Sequence, residues 1–481
     1  MPGARLEISV ACPLLRQTAG MQVRRIFMWI CSPEFVGEKI ETLHKENVIT
    51  EETHPPHLRN FHWFVRKSFQ WQDKTCLLKI AADDACLIYC NGVFIGAGPA
   101  QAYHFRCPCL SYDLAPYLKP GENVIAVHVY YIGTLSHAYQ SGDLRQGLWA
   151  EVCNAEGKTV LESDGSWKGF HAQAWELTET IGYDTQFRES IDAKLLPVGW
   201  ENAGFDDSAW EPAAEFDRDD HILEPQLTRP LCFYFRRPAH MEMKDGILFC
   251  DMGEEVTGTV SLKAAAAGGG TVEIRCGEEL NGDSSVRFRM RCNCEYRNTW
   301  RLSGRACDTV TFFDYMAFRY FEVEAPEGTV DTASVGVRVR HYPMEEDACI
   351  LEGDAETERI FQMCKRTVML GTQDAFLDCP SREKGQYLGD ALITMQAHLL
   401  LTGDPLPCKK ALLDFASGSR ICPGLMGVVP GGQMQEIADY SLLFPELILQ
   451  YWKLTGDWCR WWTGWKLILT ASATGTACWK M

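Results

Sequence analysis

The sequence predicts a multidomain β + α protein: β-sandwich domains of jelly-roll type followed by the first part of an (α/α)6 toroid. Three observations carry this expectation. Short runs alternate apolar and polar residues, with turn signals every ~8–12 residues, through the first two thirds of the chain. Around Pro343 the apolar period changes from two to near 3.6. Beyond it, helix-like stretches follow one another with polar and glycine-rich loops between them, as in a toroid of helix pairs. At 481 residues there is room for three or four domains and an ample core.

Taken in order, residues 1–27 join no clear pattern and read as an uncertain N-terminal extension, with Met21 or Met28 as candidate starts. The segment 28–150 reads as an N-terminal sandwich. FHWFVRKSFQW (Phe61 to Trp71) is its first strong alternating run, Asn91-Gly92 is a hairpin turn, and Pro120-Gly121 is a second turn before NVIAVHVYYIG. No clear aromatic platform stands out there, so the reading is structural rather than carbohydrate-binding.

Residues 151–225 are turn-rich, with Trp167, Trp200 and Trp210 as strand-entering anchors, and are expected to form a second small sandwich. The Asp206-Asp207 pair suggests either calcium or a solvated turn, the turn being preferred. Pro225 to Pro230 reads as a linker. From 231 to 342 a third β-rich block follows, with Gly268, Gly269 and Gly270 as a turn. In the helical part, 343–456, Asp354 is an N-cap candidate, and Ile360, Cys364, Thr367 and Val368 share one face.

Composition narrows the function classes. A net charge of −18 and a pI near 5.2 argue against nucleic acid or an anionic membrane as partner. No run of ~18 apolar residues is present, so no membrane span is expected. The 21 cysteines, an odd number scattered through the chain, read as free thiols in a reducing compartment. With no basic leader before an apolar core, a cytoplasmic protein is expected. Cys107-Pro-Cys109 and Cys292-Asn-Cys294 are too tightly spaced for a usual zinc knuckle, and neither metal nor cofactor is expected.

The chemistry concentrates in DCPSREKGQYLGD, Asp378 to Asp390. Three carboxylates (Asp378, Glu383 and Asp390) and Arg382 fall in one loop–helix junction. Pro380 keeps Asp378 to Glu383 out of helix, and a helix is expected to start near Gly389 and Asp390. Acids crowded beside an arginine are where carboxyl pKa values are driven apart, as proton donation to a glycosidic oxygen requires. The spacing alone leaves a second reading open, in which the acids are turn acceptors and caps.

This stretch resembles the loop of the α-L-rhamnosidases of glycoside hydrolase family 78, six-hairpin glycosidases whose motif reads Asp-Cys-Pro-x-Arg and an acid, then Gly-Asp. It is present as Asp378, Cys379, Pro380, Arg382, Glu383, Gly389 and Asp390. YCNGVFIGAGPA and YLKPGENVIAV resemble that family's amino-terminal sandwich. Gly253, Gly258, Gly277-Glu278 and Phe318-Arg319-Tyr320 resemble the sandwich before its catalytic domain. The resemblance covers roughly Phe61 to Asp457.

The resemblance implies an inverting hydrolase that removes terminal α-L-rhamnose from rhamnose-containing glycosides or oligosaccharides. Glu383 would be the general acid, Asp378 and Asp390 would hold rhamnose hydroxyls, and Arg382 would fix the loop. Asp439 and Tyr440 resemble a sugar-contacting segment, although Ala438 stands where the family has proline; a plain helix start is an equal alternative. The family's base is a late glutamate, and this chain is expected to lack that region, Glu436 and Glu446 being candidates by residue type only. Residues 457–481, with five tryptophans, read as an atypical tail from a shifted frame. Two alternatives stand beside this one: a non-catalytic carbohydrate-binding protein, and a six-hairpin glycosidase of other sugar specificity. A homo-oligomer is left open.

Overall fold

The strand Phe61–Trp71 is the spine of the amino-terminal part. It pairs antiparallel with Gly121–Tyr131 along its whole length, from Phe61 opposite Tyr131 to Trp71 opposite Gly121. Alternation sends Phe61, Trp63 and Val65, with Ile125, Val127 and Val129, into one core. The computed structural model describes residues 28–38, 54–72, 76–139, 144–218, 220–345, 354–421, 427–431 and 436–457. The expected extension 1–27 and tail residues 458–481 lie outside these.

Two sheets enclose that core. One has six strands, in the spatial order 211–212, 168–171, 61–71, 121–131, 85–90 and 93–98. The other has seven: 214–217, 28–31, 147–153, 77–83, 107–113 and 223–225, with 159–162 added beside 147–153. Asn91 (φ 50°) and Gly92 (φ 82°) make the expected hairpin turn, both in the left-handed region that a two-residue connection requires.

Residues 151–225 do not form a sandwich of their own. Lys168 to His171 pair with Arg66 to Trp63, Ala214–Asp217 pairs with Met28–Cys31, and Leu223–Pro225 pairs parallel with Cys107–Cys109. Trp167 is wholly buried in the first core, whereas Trp200 and Trp210 cover the opposite face of the spine, against Phe64 and Ala126. Short strands with unfilled edges are completed most cheaply by pairing with an existing sheet, and the tryptophans follow. The Asp206-Asp207 pair is a turn: Asp206 accepts from Ser208 N at 3.0 Å, and Asp207 pairs with the buried guanidinium of Arg66.

The strands after Pro230, with Ser190–Asp192 added, are hydrogen-bonded into one nine-stranded sheet. Its hub is the 18-residue strand Ile247–Ala264, which pairs with four others. A Cβ at Gly258 would collide with the Arg338 carbonyl oxygen of the neighbouring strand, so the close approach there requires glycine. Ser190–Asp192 reaches across from the amino-terminal part to pair parallel with Thr299–Arg301.

Four helices complete the described chain: α1 (Ala355–Gly371), α2 (Leu388–Thr402), α3 (Leu406–Gly418) and α4 (Ala438–Thr455). Asp354 caps α1, accepting from Glu356 N at 3.0 Å and Thr357 N at 2.8 Å. The expected apolar face of α1 is not a core face. Leu370 is its buried residue, while Ile360 is 52 % exposed and Cys364 is exposed, because α1 lies beside the nine-stranded sheet mainly through Arg366. α2 starts at Leu388, so Asp390 sits in its first turn instead of capping it. Helices α2, α3 and α4 share a core of Met395, Leu412, Phe415, Leu447 and Tyr451, closed on one side by Tyr103 of the sandwich. The Tyr103 hydroxyl donates to the Asp414 carbonyl oxygen at 2.8 Å.

Candidate active site

The acid loop closes on itself first. Asp378 N donates to the Gly385 carbonyl oxygen at 2.9 Å, and Gly385 N returns a bond to Asp378 Oδ1 at 3.0 Å. A β-hairpin nearly two hundred residues earlier, Thr180–Ile181 with Gln186–Phe187, then grips it. Tyr183 N donates to the Arg382 carbonyl oxygen at 3.0 Å, and Thr185 Oγ1 donates to the same atom. Gly182 has φ 67°, and a Cβ there would strike that carbonyl oxygen. The arginine side chain forms an ion pair within the loop, to Glu383. It is exposed, its Nε lies 3.5 Å from Glu383 Oε1, and the anchoring atom is its backbone oxygen.

Lys384 supplies the second anchor. Its backbone is left-handed, φ 53°, a conformation costing a side-chain-bearing residue about 1–3 kcal/mol unless its surroundings hold it. Here they do: Nζ is buried, donates to Gln186 Oε1 and to the Tyr315 carbonyl oxygen at 2.7 Å, and lies 3.7 Å from the Tyr315 ring centre. Burial pushes this ammonium down to about 8, against the attraction of Asp314.

Glu383, half-buried, faces a cavity of about 470 Å3 that it lines with Ser381, Arg382, Tyr183, Glu278 and Arg287. Burial, with the Glu383 charge beside it, pushes the Asp378 carboxyl up to about 6, although N–H groups of Cys379 and Gly385 pull the other way. Burial and a hydrogen bond to Glu383 raise the Tyr387 hydroxyl, which lies 3.5 Å from His137 Nδ1. Burial and Glu279 raise Glu278, against Arg382 and Ser381. On the helical side Tyr440 donates to Asp390 Oδ2 at 3.3 Å and packs against Gly389.

The structure therefore brings Asp378, Arg382, Glu383, Asp390 and Tyr440 to one junction, and the Tyr387 and Tyr440 rings lie 6.4 Å apart. Asp439 stays exposed in the first turn of α4. Glu436 is exposed just before α4, and Glu446 accepts from Gln450 within it. Sequence reasoning missed Lys384, Glu278 and the clamping hairpin. The available signal was a lysine next to the acid in a proline-bent loop. It also missed Asp83, His104 and His221, whose ligating atoms lie within 4.8 Å of one another. There, His221 Nε2 is 3.2 Å from Asp83 Oδ2, and the Arg145 guanidinium donates to His104 Nδ1.

A sandwich, a large β-sheet and a helical domain with carboxyls on the first interhelical loop make up a multidomain protein with an acid-lined site. Residues 89–233 match the alpha-L-rhamnosidase N-terminal domain, and residues 241–341 match the bacterial alpha-L-rhamnosidase concanavalin-like domain. The chain belongs to the α-L-rhamnosidases of glycoside hydrolase family 78. It is 29 % identical over 251 residues to an alpha-L-rhamnosidase of Streptomyces avermitilis, and 21 % over 322 residues to one of Formosa agariphila. These matches cover 50 % and 60 % of this chain but 24 % and 32 % of the relatives, so the chain spans about a quarter to a third of their length. The fold is that of the family 78 rhamnosidase of Bacillus sp. GL1, with TM-score 0.79 and 15 % identity over 92 % of this chain and 69 % of that one. The Streptomyces avermitilis enzyme complexed with L-rhamnose superposes with TM-score 0.65 and 21 % identity, over 84 % of this chain and 42 % of that one.

Proposed function

We propose that this chain carries the acid half of an inverting α-L-rhamnosidase site, acting on rhamnose-containing glycosides. The observation that carries the reading is the acid loop: Glu383 opens onto a cavity, beside a carboxyl held near pH 6 and on a backbone clamped from two sides. Glu383 donates the proton to the leaving-group oxygen. Asp378, Asp390 and Tyr440 hold ring hydroxyls, and Tyr387 hydrogen-bonds Glu383 to keep it in place.

Inversion requires a second carboxylate to activate water on the opposite face of the sugar, roughly 6.5–9.5 Å from the first. Asp378 and Asp390 share one loop–helix segment with Glu383, so the base lies outside that segment and falls to none of the acids named above. α1 to α4 then stand as the first helices of an (α/α)6 toroid. Buried cysteine thiols such as Cys86, Cys107 and Cys276 are spread through the sheets, which supports a reducing, cytoplasmic location.

The test is release of p-nitrophenol from its α-L-rhamnoside by the 481-residue chain and by Glu383→Gln. Turnover by the chain, lowered about 100- to 10,000-fold in the variant, supports Glu383 as the acid. An unchanged rate in Glu383→Gln sinks the assignment. Proton NMR of the first-released anomer of rhamnose tests inversion.

A further inference from the structure

Between the sandwich and the nine-stranded sheet lies a second cavity, of about 600 Å3, that shares no residue with the acid loop. Its volume falls in the ~300–1,000 Å3 range of small-molecule sites. Tyr89, Phe94 and Trp200 wall it from the amino-terminal part, and Phe233, Trp300 and Arg338 from the nine-stranded sheet. Phe94 and Phe233 meet edge to face across the boundary at 4.9 Å, and the Arg338 guanidinium lies 4.6 Å from the Phe94 ring centre.

Two features indicate what would fit. Trp300 is 4 % exposed, yet its indole N–H has no hydrogen-bond partner. Leaving a buried donor unpaired is costly, and an acceptor brought in from outside relieves it. Three charged groups in the lining are already engaged: Arg305 donates to the carbonyl oxygens of Ala193 and Leu196, Asp308 accepts from Ser303, and Arg338 hydrogen-bonds Tyr89, while Glu201 adds a carboxylate near Tyr89. Flat aromatic faces pack the C–H side of a ring, while an N–H and hydroxyls at Ser261, Thr309 and Thr311 serve its polar edge.

We propose that this interdomain cavity is a second carbohydrate site that binds one neutral sugar ring, independently of the acid loop. Trp300 N–H donates to a sugar oxygen, and Phe94 and Phe233 supply the stacking faces. The proposal does not rest on the rhamnosidase reading.

The probes are L-rhamnose, D-galactose and D-glucose, titrated by calorimetry into the full chain and into Trp300→Phe, Phe233→Ala and Asp390→Asn. All four proteins are first shown to melt cooperatively. Expected is binding of at least one sugar that weakens about 3- to 10-fold in Trp300→Phe, which removes one hydrogen bond. Phe233→Ala, on the accessible wall, weakens it likewise, and a separate binding event lost in Asp390→Asn belongs to the acid loop. Binding abolished by Asp390→Asn and untouched by the other two would place the sugar at the acid loop and overturn the proposal. No binding of any of the three sugars at 50-fold molar excess and millimolar concentration overturns it as well.

Discussion

At the scale of single residues, the site turns on two neighbouring carboxyls whose surroundings differ. Asp378 is mostly buried and its carboxyl is lifted to about 6, chiefly by desolvation. In the proposed reading it grips hydroxyls as a carboxylate, so kcat/KM rises as pH climbs through about 6. Asp378→Asn removes that limb and lowers kcat/KM about 10- to 100-fold, the worth of a hydrogen bond to a charged group. A pH–rate profile that keeps its limb near 6 in the variant would assign it to another group.

Lys384 is the residue whose role goes furthest beyond its identity. A lysine in an acid loop suggests an ion pair with its neighbour; instead it turns inward and leaves Glu383 on the cavity side. Its folded-state value of about 8 lies below the usual 10.5, so the charged form is disfavoured in the fold. The resulting cost is fully present below pH 8 and fades as pH rises to 10.5, where the unfolded chain also loses the proton. Stability due to this group therefore rises across pH 8 to 10.5, by about 3 kcal/mol for a shift of this size. Urea unfolding at several pH values should show this rise in the wild type and its absence in Lys384→Met.

At the scale of elements, the hairpin Thr180–Phe187 and the acid loop are one functional unit built from two distant pieces of chain. Gly182→Ala tests the unit without touching a carboxyl. Its Cβ has nowhere to go but into the Arg382 carbonyl oxygen, at a φ that L residues avoid. The expected outcome is a lower kcat toward the p-nitrophenyl rhamnoside with the loop displaced, and a loss of about 1–3 kcal/mol in chemical unfolding. Equal kcat and stability would show that the hairpin does not hold the loop.

At the scale of the molecule, helices and sandwich are joined through a shared core. Tyr103 enters the core of α2, α3 and α4, and its hydroxyl is bonded to Asp414 of α3. Arg340 of the large sheet pairs with Asp374 before the acid loop at 2.9 Å. Tyr103→Phe is expected to cost about 1 kcal/mol and Tyr103→Ala about 3–5, with the whole described chain still melting in one transition. Two separated transitions in the wild type would show that the helices fold independently.

Much of this was legible from local pattern alone. The period-two runs located the strands, Asn91-Gly92 located a hairpin turn, Asp354 a helix cap, and Asp378 to Asp390 the chemistry. Each of these depends on residues close in the chain, where backbone geometry and side-chain periodicity act directly. What local pattern misassigned depended on partners far away. Residues 151–225 look like a small domain, yet their strands complete the edges of sheets laid down earlier and their hairpin holds a loop near residue 382. The apolar positions of α1 look like a core face, but core is defined by what packs against a helix, and at Ile360 nothing described does so fully. No aromatic platform could be read from the sandwich by itself, because half of the aromatic cavity wall comes from the neighbouring sheet. The sequence by itself determined the element types, the acid loop and its family. Only the tertiary structure decided which atoms hold that loop, because those contacts are set by long-range sheet pairing and burial that no local period encodes.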